Sequence, residues 1–192
     1  LLASSANIYG NRLEGILRED TPPDLTSDYS VSKYAMEKMA KLWMNRLPIF
    51  IVRPFNYTGV GQDKNFLIPK IVSHFKNSSP VIELGNLDVW REFGDVRDVA
   101  KVYRMLLELC PTGETLNVCT SQTYSLREVI SLCEKITGHS IEIQVNEKFI
   151  RANEVRVLKG DNSFLRRLIG DCLPHLPFEE TIRWMLQGVG SV

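Results

Sequence analysis

The sequence has neither an excess of one charge nor a long apolar run. Lys and Arg together number 23, Asp and Glu also number 23, and the formal net charge is zero at pH 7. This balance gives no global field that would favour nucleic acid or a membrane surface. The longest apolar stretches are strand-sized, such as residues 49–52, and fall short of the roughly 18 residues of a membrane span. We therefore expect no membrane partner and no nucleic-acid partner.

Metal-type clusters of cysteine and histidine are also missing. The four cysteines have no spacing typical of a metal site, and the three histidines lie far apart, so we expect no bound metal. We find no secretory signal. The cysteines are therefore interpreted as reduced, buried thiols of a cytoplasmic protein; they are Cys110, Cys119, Cys133 and Cys172.

A glycine-rich phosphate-binding loop is absent as well. Neither Gly-x-Gly-x-x-Gly nor Gly-x-x-Gly-x-x-Gly occurs in the sequence. The chain opens on Leu1 and Leu2, without Met, in a stretch typical of a buried strand. We therefore expect the chain to be the carboxy-terminal part of a longer protein.

What the sequence does contain is an alternation of strand and helix patterns, which predicts an α/β fold with a largely parallel sheet. Predicted strands are residues 1–5, 47–53, 81–84, 116–118 and 141–145, and predicted loops are residues 10–27 and 56–63. Predicted helices run from Ser27 or Asp28 to about Asn45, from an Asn65 cap to Lys76, and over residues 95–109, 126–137, 160–170 and 178–187. An apolar face on the first helix, interpreted as core or dimer interface, comprises Ala35, Met39, Leu42 and Trp43.

The pattern with the most chemistry is Tyr29-Ser-Val-Ser-Lys33, with Ser5 upstream. In a helix, Tyr29 and Lys33 lie one turn apart on one face. An ammonium about 4 Å from a phenol, at an effective dielectric of about 20, favours the phenolate by roughly 4 kcal/mol. Such a phenol can give or take a proton near neutral pH. With Ser5 as a second donor, the pattern indicates a carbonyl/alcohol acid–base site beside a hydride carrier; a surface pair on a helix is the alternative.

Five blocks of the sequence follow one another in a familiar order. They are Ser5, Tyr29-x-x-x-Lys33, Arg53-Pro-Phe-Asn56, Arg91-Glu-Phe-x-Asp-Val-Arg-Asp98, and Arg151-Ala-Asn-Glu154 followed by Gly160-Asp161. Together they resemble the extended short-chain dehydrogenase/reductases, in particular the nucleotide-sugar branch of dehydratases, reductases and epimerases. The resemblance implies the carboxy-terminal part of a doubly wound, Rossmann-type parallel sheet with a small α/β substrate-binding domain. It also implies NAD or NADP as cofactor and a nucleotide-diphosphate sugar as substrate.

The resemblance further implies roles for individual residues. Ser5, Tyr29 and Lys33 match the catalytic residues, with Lys33 also binding the nicotinamide ribose. The implied cofactor-binding residues are Ser4, Tyr29, Lys33, Pro54, Phe55 and Asn56. The implied substrate-binding residues are Asn7, Asn56, Asn65, Arg91, Arg151 and Glu154. Two planar, permanent cations, Arg91 and Arg151, suit a diphosphate, and Trp90 and Phe93 beside Arg91 are interpreted as apolar walls.

The resemblance also divides the chain. Residues 1–57 correspond to the later half of the dinucleotide-binding domain with its catalytic helix. Residues 58–192 form mainly the substrate-binding domain, with residues 94–118 returning to the Rossmann sheet. The family forms homodimers through the helix that carries the catalytic tyrosine, so we expect a homodimer here. Without the amino-terminal glycine-rich half, we expect the 192 residues alone to be inactive.

The predicted function is reduction of a nucleotide-linked 4-keto-6-deoxy sugar, with hydride transfer at C4. The family's 4,6-dehydratases carry a carboxylate two positions after the catalytic hydroxyl, whereas this sequence has Asn7, which is no base at neutral pH. A C4 epimerase of the same fold stays an alternative, as does a dehydratase if another carboxylate fills that place. From another class, a non-catalytic nucleotide-sugar-binding module is the third alternative.

Overall fold

The computed structural model describes residues 1–10, 15–150 and 156–188, and it confirms the α/β class. The strands are Leu2–Ala3 (β1), Gly15–Leu17 (β2), Ile51–Pro54 (β3), Tyr57–Thr58 (β4), Val81–Leu84 (β5), Trp90–Arg91 (β6), Gly94–Asp95 (β7), Thr115–Val118 (β8), Tyr124–Ser125 (β9), Glu142–Val145 (β10) and Val157–Gly160 (β11). The α-helices are Asp28–Lys41 (α1), Leu67–Lys76 (α2), Val96–Leu109 (α3), Leu126–Thr137 (α4), Ser163–Ile169 (α5) and Phe178–Gln187 (α6). Short 3₁₀ helices occupy Ala6–Tyr9, Glu147–Phe149 and Gly170–Cys172.

A parallel three-stranded sheet, in the order β1-β3-β8, forms one layer of the molecule. Val52 of its central strand is fully buried, as expected for a parallel strand that is covered by helices. Helix α3 contributes Leu106 to this core, and α5 contributes Leu165 and Ile169. The parallel sheet is the one that the alternation of strands and helices predicts, and its Rossmann-like arrangement is the one that the family resemblance implies.

A second apolar core lies among α2, α4 and α6. Ile71, Val129 and Ile182, one from each helix, are fully buried in it. The parallel pair β5-β10 supplies Ile82 and Leu84 to the same core. The described residues also form a four-stranded sheet in the order β2-β11-β6-β9 and the two-stranded pair β4-β7. Since β4 follows β3 and β7 precedes α3, this last pair connects the two layers.

Helix α1 buries a different face from the one that its apolar spacing predicts. It begins at a Ser27 N-cap, as predicted, with a reciprocal capping box to Ser30, but it ends at Lys41 rather than near Asn45. The predicted apolar face is exposed to solvent, because Met39 is 65% and Leu42 is 78% accessible. The buried residues of the helix are instead Ser30, Glu37 and Ala40. Polar contacts therefore decide how this helix sits on the sheet.

Several predicted loops and boundaries are wrong, since very short strands carry no readable alternation. The predicted loop 10–27 contains β2, and the predicted loop 56–63 contains β4. The helix predicted from residue 160 begins at Ser163 because Gly160 belongs to β11. Asn65 does not cap α2: Phe66 occupies the N-cap position without a side-chain bond, and the Asn65 amide donates to Asp63 Oδ1 at 2.7 Å.

The prediction of four buried thiols is also wrong, although all four are free. Cys133 is buried in the second core, but Cys110 and Cys172 are exposed. Cys110 follows α3 in the left-handed backbone region, with φ of 47°, and so stands at a surface turn. In the described part of the chain, no helix combines the length and the apolarity needed to cross a bilayer.

Gly160 marks a close approach between β11 and the end of β3. A Cβ at this position would lie 2.7 Å from the Phe55 ring and 2.6 Å from Cys119 Sγ. Real Cβ atoms do not come so near to other heavy atoms, because cores are close-packed and resist added volume. Glycine is therefore what allows this strand to reach the loop that follows β3.

Candidate active site

The carboxyl ends of β1, β3 and β8 meet at one edge of the parallel sheet. Ser4 and Ser5 directly follow β1, and Pro54, Phe55 and Asn56 lie at the end of β3. Strands β1 and β3 are direct neighbours in parallel register, so the two segments emerge side by side. In open α/β sheets, this edge is where ligands bind. The residues predicted from two distant blocks of sequence therefore share one location.

Ser5 lies at the start of the 3₁₀ helix Ala6–Tyr9. Its Oγ accepts a hydrogen bond from the Asn7 amide at 3.1 Å, and its backbone is extended, as an N-cap requires. A hydroxyl that accepts one bond keeps its O–H for donation. Ser5 is buried, as is Ser4, whereas the Asn7 side chain is exposed.

Lys33 joins helix α1 to the end of β1. Its Nζ donates to the Ala3 carbonyl at 2.9 Å and lies 5.7 Å from the centroid of the Tyr29 ring. Tyr29 itself is 49% exposed, so its phenol is accessible to a ligand. An ammonium has three donors, and the bond to Ala3 uses one of them. The helix also contacts the 3₁₀ helix that begins after Ser5, which brings Ser5, Tyr29 and Lys33 to the same corner of the molecule.

The segment after β3 is part core and part surface. Phe55 is 8% exposed and packs with Ile8, Tyr9 and Leu17. Asn56 has an exposed side chain, while its carbonyl accepts from the Gly94 amide at 2.8 Å. The Asn56 side chain is therefore available to a ligand. The cofactor-binding role of Phe55 stays a prediction, and its ring is mostly buried.

Arg91, one of the two predicted diphosphate-binding residues, lies on β6 of the four-stranded sheet. Arg91 is half-buried on β6, and its Nη1 donates to the Trp90 carbonyl at 2.9 Å. Arg156 places its guanidinium 5.3 Å from the Trp90 ring centroid, so two cations flank this strand. Phe93 is not an open wall, since it stacks on Phe178 at 5.7 Å inside the second core. Asn65 is exposed; Arg151 and Glu154 lie outside the described residues.

A buried polar network connects the elements around this corner. Arg53 forms a two-pronged ion pair with Glu37, with Nε to Oε1 at 2.9 Å and Nη2 to Oε2 at 2.7 Å. Its Nη1 donates to the Tyr9 hydroxyl at 2.9 Å. That hydroxyl donates in turn to Asn117 Oδ1 on β8 at 2.7 Å. The network therefore joins α1, the 3₁₀ helix, β3 and β8.

Burial and the contacts within this network shift the pKa of two of its groups. Burial raises the pKa of the Glu37 carboxyl, but the hydrogen bonds and the charge of Arg53 outweigh burial and bring it below its ordinary value. Burial raises the pKa of the Tyr9 phenol to about 12, so this phenol stays protonated and donates. Sequence reasoning missed Glu37, Tyr9 and Asn117. The available signal was Arg53 itself, because an arginine inside an apolar strand requires a buried partner.

A second buried carboxylate, Glu92, was also missed. It is 1% exposed and accepts from the Thr120 amide at 2.8 Å, the Thr120 hydroxyl at 3.0 Å and the Ser121 amide at 3.1 Å. The Gly160 amide donates to its other oxygen. Burial raises the pKa of the Glu92 carboxyl above its ordinary value, although these donors oppose the rise. Glu92 thus ties the end of β6 to the loop after β8 and to β11.

Two curated relatives share the chain's sequence over most of its length. The protein named GDP-6-deoxy-D-talose 4-dehydrogenase from Aggregatibacter actinomycetemcomitans is 38% identical over 171 residues, which are 89% of this chain and 58% of that protein. The protein named GDP-6-deoxy-D-mannose reductase from Pseudomonas aeruginosa is 31% identical over 195 residues, covering 97% of this chain and 64% of that protein. The chain thus spans about three fifths of the length of these relatives.

Two solved structures have the same fold. A crystal structure of a protein from Burkholderia cenocepacia J2315 superposes with a TM-score of 0.94 at 53% identity and covers 97% of this chain and 61% of that one. The structure of RMD from Pseudomonas aeruginosa complexed with NADPH superposes with a TM-score of 0.87 at 30% identity and covers 96% of this chain and 63% of that one. The family model described as GDP-mannose 4,6 dehydratase matches residues 1–185. With this match along nearly its whole length, the chain belongs to the GDP-mannose 4,6-dehydratase family.

Proposed function

We propose that the complete protein is an NAD(P)-dependent reductase of a nucleotide-linked 4-keto-6-deoxy sugar. One observation carries the proposal: Lys33 lies beside the Tyr29 ring and bridges α1 to the end of β1, two residues before Ser5. The relatives support the substrate class, since two of them are named for chemistry on GDP-6-deoxy sugars. A solved structure that contains NADPH supports the cofactor class.

The residues at this corner suit a nicotinamide cofactor and a ketone together. Lys33 has N–H donors beyond the one given to Ala3, and these would bind ribose hydroxyls. A bound reduced nicotinamide supplies the hydride for C4. Tyr29 donates its phenolic proton to the C4 oxygen as negative charge develops there, and the Lys33 ammonium stabilises the phenolate that remains. The Ser5 hydroxyl donates a second hydrogen bond to the same oxygen.

The nucleotide diphosphate is assigned to the second layer. Arg91, together with Arg151, is proposed to bind the two phosphates, and Glu154 the nucleotide ribose. The exposed side chains of Asn7, Asn56 and Asn65 would contact the sugar and its linkage. In the same scheme, residues 1–57 and 94–118 belong to the cofactor layer, and the remainder to the substrate layer.

Two related reactions and one binding role compete with reduction. A C4 epimerase oxidises and reduces the same carbon within one turnover, and a 4,6-dehydratase removes water after oxidation. The side chain at position 7 is an exposed amide, which cannot take a proton from C5 at neutral pH, and this favours reduction over dehydration. A protein that only binds nucleotide sugars would not require Ser5, Tyr29 and Lys33 in one corner, and this favours the enzyme over the binding role.

Cofactor stoichiometry distinguishes the reductase from the epimerase. The complete gene product is mixed with GDP-4-keto-6-deoxymannose and NADPH or NADH, and the absorbance of the reduced nicotinamide is followed together with the sugar product. We expect loss of one reduced cofactor for each 6-deoxy sugar formed. Sugar conversion at constant absorbance would support epimerisation instead, and binding of GDP without any conversion would support the non-catalytic role.

We also propose a cytoplasmic homodimer. The outer face of α1 exposes Val31 and Met39, and Leu42 and Trp43 directly after the helix are exposed as well; together they form an apolar strip of the kind that a second copy covers. Four unpaired cysteines fit a reducing compartment. Light scattering of the complete gene product is expected to give twice the monomer mass, and Leu42→Asp is expected to shift it towards the monomer. A monomeric mass for the unaltered protein would refute the dimer.

A further inference from the structure

Arg53 contacts the two helices next to the predicted catalytic residues, α1 and the 3₁₀ helix that follows Ser5. It lies on β3, next to Pro54, and its guanidinium binds Glu37 on α1. The same guanidinium binds the hydroxyl of Tyr9, the last residue of the 3₁₀ helix that Ser5 begins. It is also buried, with its side chain 7% exposed. A guanidinium holds its donors in a fixed planar fork, so these contacts set direction as well as distance.

Glu37 lies on the same helix face as the catalytic pair. Tyr29, Lys33 and Glu37 follow at intervals of four residues, so they stack along one side of α1. The helix buries little apolar surface of its own: Ala40 is its one fully apolar buried residue among the three that are buried. The two-pronged ion pair between Glu37 and Arg53 adds a contact that fixes direction as well as distance. Glu37 and Arg53, together with the bond from Lys33 to Ala3, therefore help to fix the rotation and the height of α1 on the sheet.

Tyr9 extends the same control to Ser5. Its hydroxyl accepts from Arg53 and donates to Asn117, so the far end of the short helix is held on both sides. The backbone amide of Asn117 in turn donates to Glu19 Oε1 at 2.9 Å, and Asn117 is fully buried. The turn that starts at Ser5 thus has its other end fixed to β3 and β8.

We propose that Glu37, Arg53 and Tyr9 are positioning residues, which act through Tyr29, Lys33 and Ser5 by fixing α1 and the Ser5 turn against each other. This inference rests on the proposed function, because it assigns those three partners the chemistry. A misplacement of about 1 Å in a reacting group can lower the rate by about 100-fold. The network is therefore expected to govern turnover more than affinity.

Two variants of the complete gene product test this role. Tyr9→Phe removes one hydroxyl and keeps the ring. The double variant Glu37→Leu/Arg53→Met removes both charges, which often leaves stability nearly unchanged, whereas removing one partner leaves a buried charge alone. For each we expect kcat to fall by about 10-fold to 100-fold while KM for GDP-4-keto-6-deoxymannose changes by less than about threefold.

A control variant separates positioning from general loss of stability. Ile130→Ala shortens a buried side chain of α4 and opens a cavity in the second core, which lies away from the corner. Assayed well below their melting temperatures, network variants with the same loss of Tm as this control are expected to lose far more kcat. The positioning role is refuted if kcat falls no further than in the control. It is also refuted if the double variant Glu37→Leu/Arg53→Met has the kcat of the unaltered protein.

Non-additivity gives the sharpest outcome. In a Ser5→Ala background, Tyr9→Phe is expected to lower kcat much less than it does in the unaltered protein, because Tyr9 fixes the turn that Ser5 begins and loses that influence once the Ser5 hydroxyl is gone. Full additivity of the two substitutions would overturn the inference. If Tyr29→Phe alone leaves turnover unchanged, it is the proposed function that fails, whatever the network variants show.

Discussion

Replacing Tyr29 by Phe in the complete gene product is expected to lower turnover by about 100-fold to 10,000-fold, the usual contribution of a positioned acid or base. The substitution removes only the phenolic O–H, which is proposed to protonate the C4 oxygen. Tyr29 is 49% exposed, so its loss costs little packing. Turnover of GDP-4-keto-6-deoxymannose with NADPH is the measurement, and calorimetric binding of GDP is expected to stay within a few-fold.

Tyr34→Phe is the matched control for this experiment. Tyr34 lies on the same helix α1, packs at the edge of the cluster around Phe55 and has the Lys38 ammonium 4.8 Å from its ring centroid. It thus shares the helix, the residue type and a nearby lysine, but its lysine is not Lys33, which binds the end of β1. Turnover of this variant is expected to stay within about twofold. Equal losses in the two variants would show that Tyr29 acts through helix stability and not as the proton donor.

Replacing Glu92 by Leu is expected to lower the free energy of unfolding by about 4 kcal/mol. The carboxylate accepts from the amides of Gly160, Thr120 and Ser121 and from the Thr120 hydroxyl. Each buried donor left without a partner costs about 1–3 kcal/mol, although part of this loop is open to water. Urea denaturation of the complete gene product measures the change, with the unaltered protein as reference.

Two further variants make the Glu92 result specific. Glu92→Gln keeps the shape and one oxygen, but its amide nitrogen must face either the Gly160 amide or the Thr120 and Ser121 donors, so an intermediate loss is expected. Glu83→Leu removes an exposed carboxylate of β5, whose contact is the Asn146 amide at 3.0 Å, and is expected to change stability by less than about 0.5 kcal/mol. The assignment of Glu92 as a buried anchor fails if all three variants unfold at the same urea concentration.

The long elements could be predicted because their signals are local. Helix α4 begins and ends as predicted, since Ser125 and Glu128 form a capping box and Gly138 ends the helix in the left-handed region. Strand β5 was predicted with its observed bounds, and Ser27 caps α1. The α/β class follows from the order of these elements, and the family follows from five spaced blocks.

What the sequence could not show is the set of long-range polar contacts. Tyr9 meets Asn117 across 108 positions, and Glu92 meets Gly160 across 68, and no periodicity reports such pairs. Four of the two-residue strands, β4, β6, β7 and β9, are likewise created by neighbours and not by their own propensity. The apolar spacing of α1 predicted a buried stripe, but burial depends on what lies opposite, and the described residues leave that side open.

The close approach at Gly160 has an evolutionary consequence. Even one methyl group at position 160 would collide with the Phe55 ring and with Cys119. Substitution of this glycine therefore requires that smaller residues first replace those two. Substitutions at positions 55 and 160 should therefore be correlated, with Phe55 replaced before Gly160. Among natural variants of this chain, an alanine at 160 beside an unchanged phenylalanine at 55 should be selected against.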